Sequence, residues 1–203
     1  TDTLAADVQA WVTQLELRDA ILAGHSMGGV SAMAFAGLHP DVAAEHLRSL
    51  VLVATLAYPE PLFGLPDVQV DPARVVGLLE RIMSFETLGL LSIRRVFGTY
   101  PTRTALEATR SSLIATDRQT RIDAMRMLRD FDLRPVLSDI ALPTVVLAGT
   151  HDQLTPLAGN ETIAELIPGA RLEVLPGMGH MLMFEAPDQV ADAIVQAAKP
   201  SDA

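Results

Sequence analysis

Cysteine is absent from the 203 residues, which excludes a disulfide scaffold, a thiolate nucleophile and cysteine-ligated metals while leaving the redox compartment open. Long hydrophobic runs are missing as well: nothing approaches the roughly 18 apolar residues that a membrane helix needs. The opening Thr1-Asp2-Thr3-Leu4 lacks the basic-then-apolar layout of a signal peptide, so any targeting segment would have to lie upstream and the cytoplasm is the expected compartment. Basic charge is scarce. Fifteen Lys and Arg face 25 Asp and Glu, a formal net charge of −10, which argues against a nucleic-acid partner, whose phosphates demand a basic face. Metal-ligand spacings, glycine-rich phosphate loops and paired carboxylates with a pocket signature are absent, so neither a metal nor a nucleotide cofactor is expected. There are no internal repeats or low-complexity tracts.

What is present is a chain with 49% apolar residues, long enough to bury a core as one domain carrying an insertion. Runs at 20–24, 49–54, 144–149 and 171–175 read as strands, and the continuous hydrophobicity of 49–54 and 144–149 suits parallel strands covered on both faces. Helical patterns separate them. Residues 3–17 carry Leu4, Val8, Trp11 and Leu15 at helical spacing; 27–39 runs to a stop at Pro40; 156–167 follows Thr155 as N-cap with Pro156 in the first turn; 187–198 turns Val190, Ile194 and Ala197 inward. Strands alternating with helices predict an α/β fold with a parallel sheet.

Residues 57–137 are too many for a structureless loop. They hold 11 of the 15 basic groups but only 10 of the 25 acids, a composition shift that marks a separate layer. Helix signals fill the segment: Asp71-Pro72 leads into Val75, Leu79 and Ile82, Gly98 closes a second helix, Thr104-x-x-Glu107 reads as a capping box, and Asp117 caps a fourth helix. That last helix places Ala124, Met127 and Phe131 on one stripe and Arg118, Arg121 and Arg129 on another. The expected division is a core of 1–56 and 138–203 with a helical lid, 57–137, over the reactive edge of the sheet.

The chemistry centres on Gly24-His25-Ser26-Met27-Gly28, where an apolar strand breaks into Gly-x-Ser-x-Gly and then into a helix. A serine hydroxyl is a weak nucleophile until it is held out of the backbone beside a base, and a sharp strand-to-helix turn does this. Gly24 and Gly28 are expected to be glycines because a Cβ would collide at so tight a corner. The Met27 amide, opening the helix, is the expected donor to the oxyanion.

Among the five histidines, His180 follows the fourth strand through Pro176-Gly177-Met178-Gly179, glycines that free the loop to bring an imidazole over the carboxyl edge of the sheet. His25 should point away from the base position, and His39, His46 and His151 read as surface or structural residues. Asp152, just past the third strand, is the expected orienting acid, with Glu60, past the second strand, in reserve. The order Ser26, Asp152, His180, each after a strand end, makes a nucleophile, acid and base series.

These stretches, with Leu142-Pro143 to Thr155-Pro156 and Ile167-Pro168-Gly169 to Glu185-Ala186-Pro187, resemble the α/β-hydrolase superfamily in its esterase, lipase and haloperoxidase-like branch. The resemblance implies Ser26 as nucleophile, Asp152 as acid, His180 as base and Met27 N–H as one oxyanion donor. Aspartate-nucleophile relatives are disfavoured because Ser26 holds that position. It implies a small-molecule ester of an apolar acyl group as substrate; thioesters remain an alternative, as does a non-catalytic binding module or partner-dependent fragment. In that family further strands precede the elbow, and a loop after the third supplies a second oxyanion amide. Only 25 residues precede Ser26 here, so an N-terminal segment or a second chain is expected to supply those strands.

Overall fold

The structure is a computed structural model and describes residues 1–59 and 71–199. The chain runs α1 (Asp2–Gln14), β1 (Ala20–His25), α2 (Met27–Leu38), α3 (Pro40–His46), β2 (Leu47–Val53), α4 (Pro72–Ser84), α5 (Glu86–Arg94), α6 (Arg103–Ala115), α7 (Arg118–Met127) and α8 (Arg134–Leu137). It continues through β3 (Thr144–Gly149), α9 (Leu157–Leu166), β4 (Arg171–Leu175), α10 (Leu182–Glu185) and α11 (Pro187–Ala197). The strands form one parallel sheet in the order β1-β2-β3-β4.

Alternation along the central strands explains their unbroken apolar runs. Leu50, Leu52 and Val146 face a cluster shared with α1, α2 and α9, whereas Val51, Val53, Val145 and Leu147 face one shared with α10 and α11. Both faces are therefore covered, and a polar residue at any of these positions would be desolvated. The helix α2 is buried over most of its circumference, from Gly29 and Val30 to Ala36 and Gly37, which its almost wholly apolar sequence requires.

The first helix packs on a different stripe from the one expected. Ala5 and Val12 are buried with Val8 against them, while Trp11 is 66% exposed and Leu15 57% exposed. The small Ala5 occupies the close contact, and the indole lies on the outer flank. Pro40 ends α2 but also occupies the first turn of α3, where its missing N–H costs nothing.

Within the expected 57–137 insertion, the described residues 71–137 are mostly helical, with their caps in part displaced. Asp71 accepts from Ala73 N at 3.0 Å and Asp117 from Thr120 N at 3.0 Å, as expected. The cap of α6 is Thr102, accepting from Ala105 N at 3.2 Å, instead of Thr104; Glu107 pairs with Arg103 at 2.6 Å across one turn and so cannot complete a capping box. Gly98 does not close a helix, because α5 ends at Arg94. Ile122 is the buried residue of α7, and Phe131 lies beyond it with Leu133 and Leu137 in the main core. Arg118 and Arg121 converge on Glu80 of α4. A separate cluster of Met83, Ile93, Phe97 and Ala105 packs with Met181, joining these helices to the loop that carries His180.

Candidate active site

The corner after β1 is set by backbone strain. Ser26 stands at φ 53° and ψ −118°, a left-handed conformation that a residue with a Cβ holds only when its surroundings impose it. They do: Ser26 N donates to Val53 O at 3.0 Å, and Ser26 O accepts from Gly29 N at 2.9 Å, Val30 N at 3.2 Å and Thr55 Oγ1 at 2.7 Å. A Cβ on Gly24 would lie 2.4 Å from Gly28 O, so that glycine is obligatory; a Cβ on Gly28 would meet open space, contrary to expectation. The tight contact falls instead on Gly29, whose Cβ would come within 2.5 Å of Thr55 Oγ1. Met27 is the first residue of α2, where an amide has no intrahelical acceptor.

Asp152 and His180 meet. His180 Nδ1 lies 2.9 Å from Asp152 Oδ2, and both residues are buried, 5% and 7% exposed. Because a carboxylate only accepts, Nδ1 carries the proton and Nε2 is left as the basic nitrogen. Asp152 also accepts from Leu154 N at 2.8 Å, Thr155 N at 2.9 Å and Thr155 Oγ1 at 2.5 Å. Burial pushes the Asp152 carboxyl up, but the His180 bond and charge and the Thr155 hydroxyl and amide outweigh it, and the carboxyl sits below its ordinary value. It is therefore an anion wherever an imidazole base would be neutral.

Two supports of this pair were not recognised in the sequence. Thr155, expected as an N-cap, turns its hydroxyl to Asp152, and α9 starts after Pro156. Asn160, fully buried, accepts from Thr55 N at 3.3 Å and donates to Thr155 O at 3.1 Å, bracing the end of β2 against the Asp152 loop. An Asp-x-x-Thr spacing and a lone amide on a buried helix face were the available signals.

His25 corrects an expectation outright. Its ring does not turn away from the base: Nε2 donates to His180 O at 2.9 Å, and the two ring centroids are 4.7 Å apart. The residue beside Ser26 thus touches His180 directly, although no hydrogen bond joins Ser26 Oγ to the His180 ring among the described residues. His46 is buried, its Nδ1 2.7 Å from Leu17 O and 2.8 Å from Arg18 Nη1, a structural role, and His151 Nδ1 lies 3.4 Å from Thr99 Oγ1. Glu60 lies outside the described residues. Among the described residues no group of three His, Asp or Glu side chains is placed to hold a metal ion, and no helix is long and apolar enough to cross a membrane.

Burial, then the neighbouring His180 charge, hold the His25 imidazole down to about 4, from an ordinary 6.5. The unfolded chain takes up a proton at about 6.5 and the native one does not until about 4, so stability is lost as pH falls through that window. One such group changes the slope by about 1.4 kcal/mol per pH unit mid-window. His25→Gln, which can still donate to the His180 carbonyl but does not titrate, is expected to flatten the urea-unfolding free energy against pH by about that amount between pH 6.5 and 4. Identical slopes in the two proteins would show that His25 is not buried neutral.

A parallel α/β sheet with its reactive loops at the carboxyl ends of adjacent strands is the architecture of a large class of hydrolases. The chain belongs to the alpha/beta hydrolase family, matched over residues 1–193. It is 29% identical to pimeloyl-[acyl-carrier protein] methyl ester esterase of Xanthomonas campestris pv. campestris (strain B100), over 86% of this chain and 69% of that one. Identity to a non-heme chloroperoxidase of Kitasatospora aureofaciens is 30%, over 88% of this chain and 66% of that one. Among solved structures, the enol-lactonase from Burkholderia xenovorans LB400 superposes with a TM-score of 0.77 at 26% identity, covering 97% of this chain and 72% of that one. Family and relatives together support hydrolase activity.

Proposed function

We propose that the protein is a serine hydrolase of carboxylic esters with apolar acyl groups, acting through an acyl-enzyme. The observation that carries this reading is the buried Asp152–His180 pair at 2.9 Å beside a strained elbow bearing Ser26. His180 Nε2 takes the Ser26 proton as Oγ bonds to the acyl carbon, and the carbonyl electron pair moves onto oxygen, facing the Met27 amide. Collapse breaks the bond to the alcohol oxygen, which receives the proton from His180; water then repeats the sequence and releases the acid. Asp152 stays ionised throughout and holds the imidazole. The named activities of two relatives, an esterase and an enol-lactonase, agree with an acyl substrate.

In the same reading residues 57–137 form a lid on the core of 1–56 and 138–203. Its apolar cluster of Met83, Ile93 and Phe97 packs beside the His180 loop through Met181. A fluorophosphonate probe is expected to label the protein, with mass spectrometry placing the adduct on Ser26. Labelling should be lost in His180→Ala and kept in His151→Ala. No adduct on the folded protein would support a non-catalytic hydrolase-fold module, and loss in His151→Ala alone would overturn the choice of base.

A further inference from the structure

The His180 loop is not free to move by itself. His180 N donates to Val96 O at 2.9 Å and Thr99 N donates to Gly177 O at 2.9 Å, so residues 96–99 of the helical segment run against residues 177–180. Both segments contribute a glycine at the crossing. A Cβ on Gly98 would lie 2.0 Å from Gly177 O, and one on Gly179 would lie 2.4 Å from Gly98 N, distances that no side chain tolerates. Two backbones this close leave amide groups of both that must find an acceptor. Glu185, at the end of α10, provides it: Oε2 accepts from Gly98 N at 2.5 Å, and Oε1 and Oε2 accept from Gly179 N at 3.1 and 3.2 Å. One carboxylate thus binds the residue next to His180 and the residue at the crossing point of the helical segment.

We propose that Glu185 is a positioning residue which locks the 96–99 segment to the His180 loop, so that the place of the base and the seating of the helical segment are one structural event. The inference rests on His180 as the base. Charge-assisted bonds from amide to carboxylate are short and about twice as strong as neutral ones, and the loop they hold must place an imidazole nitrogen to within a fraction of an ångström. A carboxamide cannot replace the carboxylate fully, because its NH2 would oppose an amide donor.

Two measurements on the full chain test this. In amide hydrogen exchange, Glu185→Ala is expected to lose protection at Gly98 and Gly179 together by tenfold or more, and Glu185→Gln at one of the two, with the amides of β2 and β3 unchanged. In ester kinetics, Glu185→Ala should lower kcat by roughly ten- to a hundredfold with KM little altered, as misplacement of a base does, and Glu185→Gln should recover part of it. Unchanged exchange at both glycines in Glu185→Ala overturns the clamp whatever the activity. Lost protection with unchanged kcat shows that the clamp exists but does not position His180, which overturns the proposal equally. If the wild-type protein hydrolyses no ester, the fault lies in the functional reading, and the exchange result still decides the clamp.

Discussion

Replacement of Ser26 by alanine is expected to abolish ester hydrolysis, lowering kcat by roughly four to six orders of magnitude, while the fold stays intact. The loss is large because nothing beside Ser26 substitutes for it: the chain has no cysteine, and the neighbouring His25 is committed to the His180 carbonyl. The fold survives because what holds the elbow is backbone. Ser26 N and O make its contacts with Val53, Gly29, Val30 and Thr55, and alanine meets the positive φ with the same Cβ as serine, so the strain is unchanged. Circular dichroism and the unfolding midpoint should match wild type. Most of the activity surviving in a purified Ser26→Ala protein would sink the proposed nucleophile.

Residues 1–203 expressed by themselves are expected to be poorly soluble and to turn over about a hundred- to a thousandfold more slowly than a form supplied with a further strand, the usual cost of one missing oxyanion donor. Both effects have one origin. Within the described residues β1 pairs only with β2, so the backbone groups along its other edge have no strand partner, and an open edge is a template for aggregation. Trp11, Leu15 and Leu17, exposed on α1 and the turn towards β1, add apolar surface nearby. We propose that a further segment or a second chain pairs with this edge, and that a loop following it brings the oxyanion amide that complements Met27. Fusion or co-expression with such a segment should restore solubility and activity together. A soluble, monomeric, fully active 1–203 would refute this and turn the search for the second donor to residues 57–137.

Much of the architecture was legible locally. Thr144–Gly149 is an almost unbroken apolar run and Arg171–Leu175 alternates charged with apolar residues; both are bounded by proline and glycine, and both strands fall where those boundaries put them. Caps with an aspartate at Asp71 and Asp117 were legible for the same reason, since a carboxylate meeting an amide two or three residues on depends on nothing distant. Thr102 against Thr104 was not, because two threonines offer the same chemistry and the ion pair of Glu107 decides between them.

The sequence alone therefore determined the elements of an α/β hydrolase and the loops on which a serine, an aspartate and a histidine sit, because periodicity, turn residues and strand ends are short-range properties of the chain. Tertiary structure alone decided how those loops face one another. That His25 packs on His180, that Asp152 meets His180, that Gly29 and not Gly28 is pressed by Thr55, and that Glu185 gathers amides of Gly98 and Gly179 all depend on segments brought together by packing. Glu185 and Gly98 are 87 residues apart, and no local pattern encodes a bond whose two ends find each other only when the helical segment has folded against the sheet.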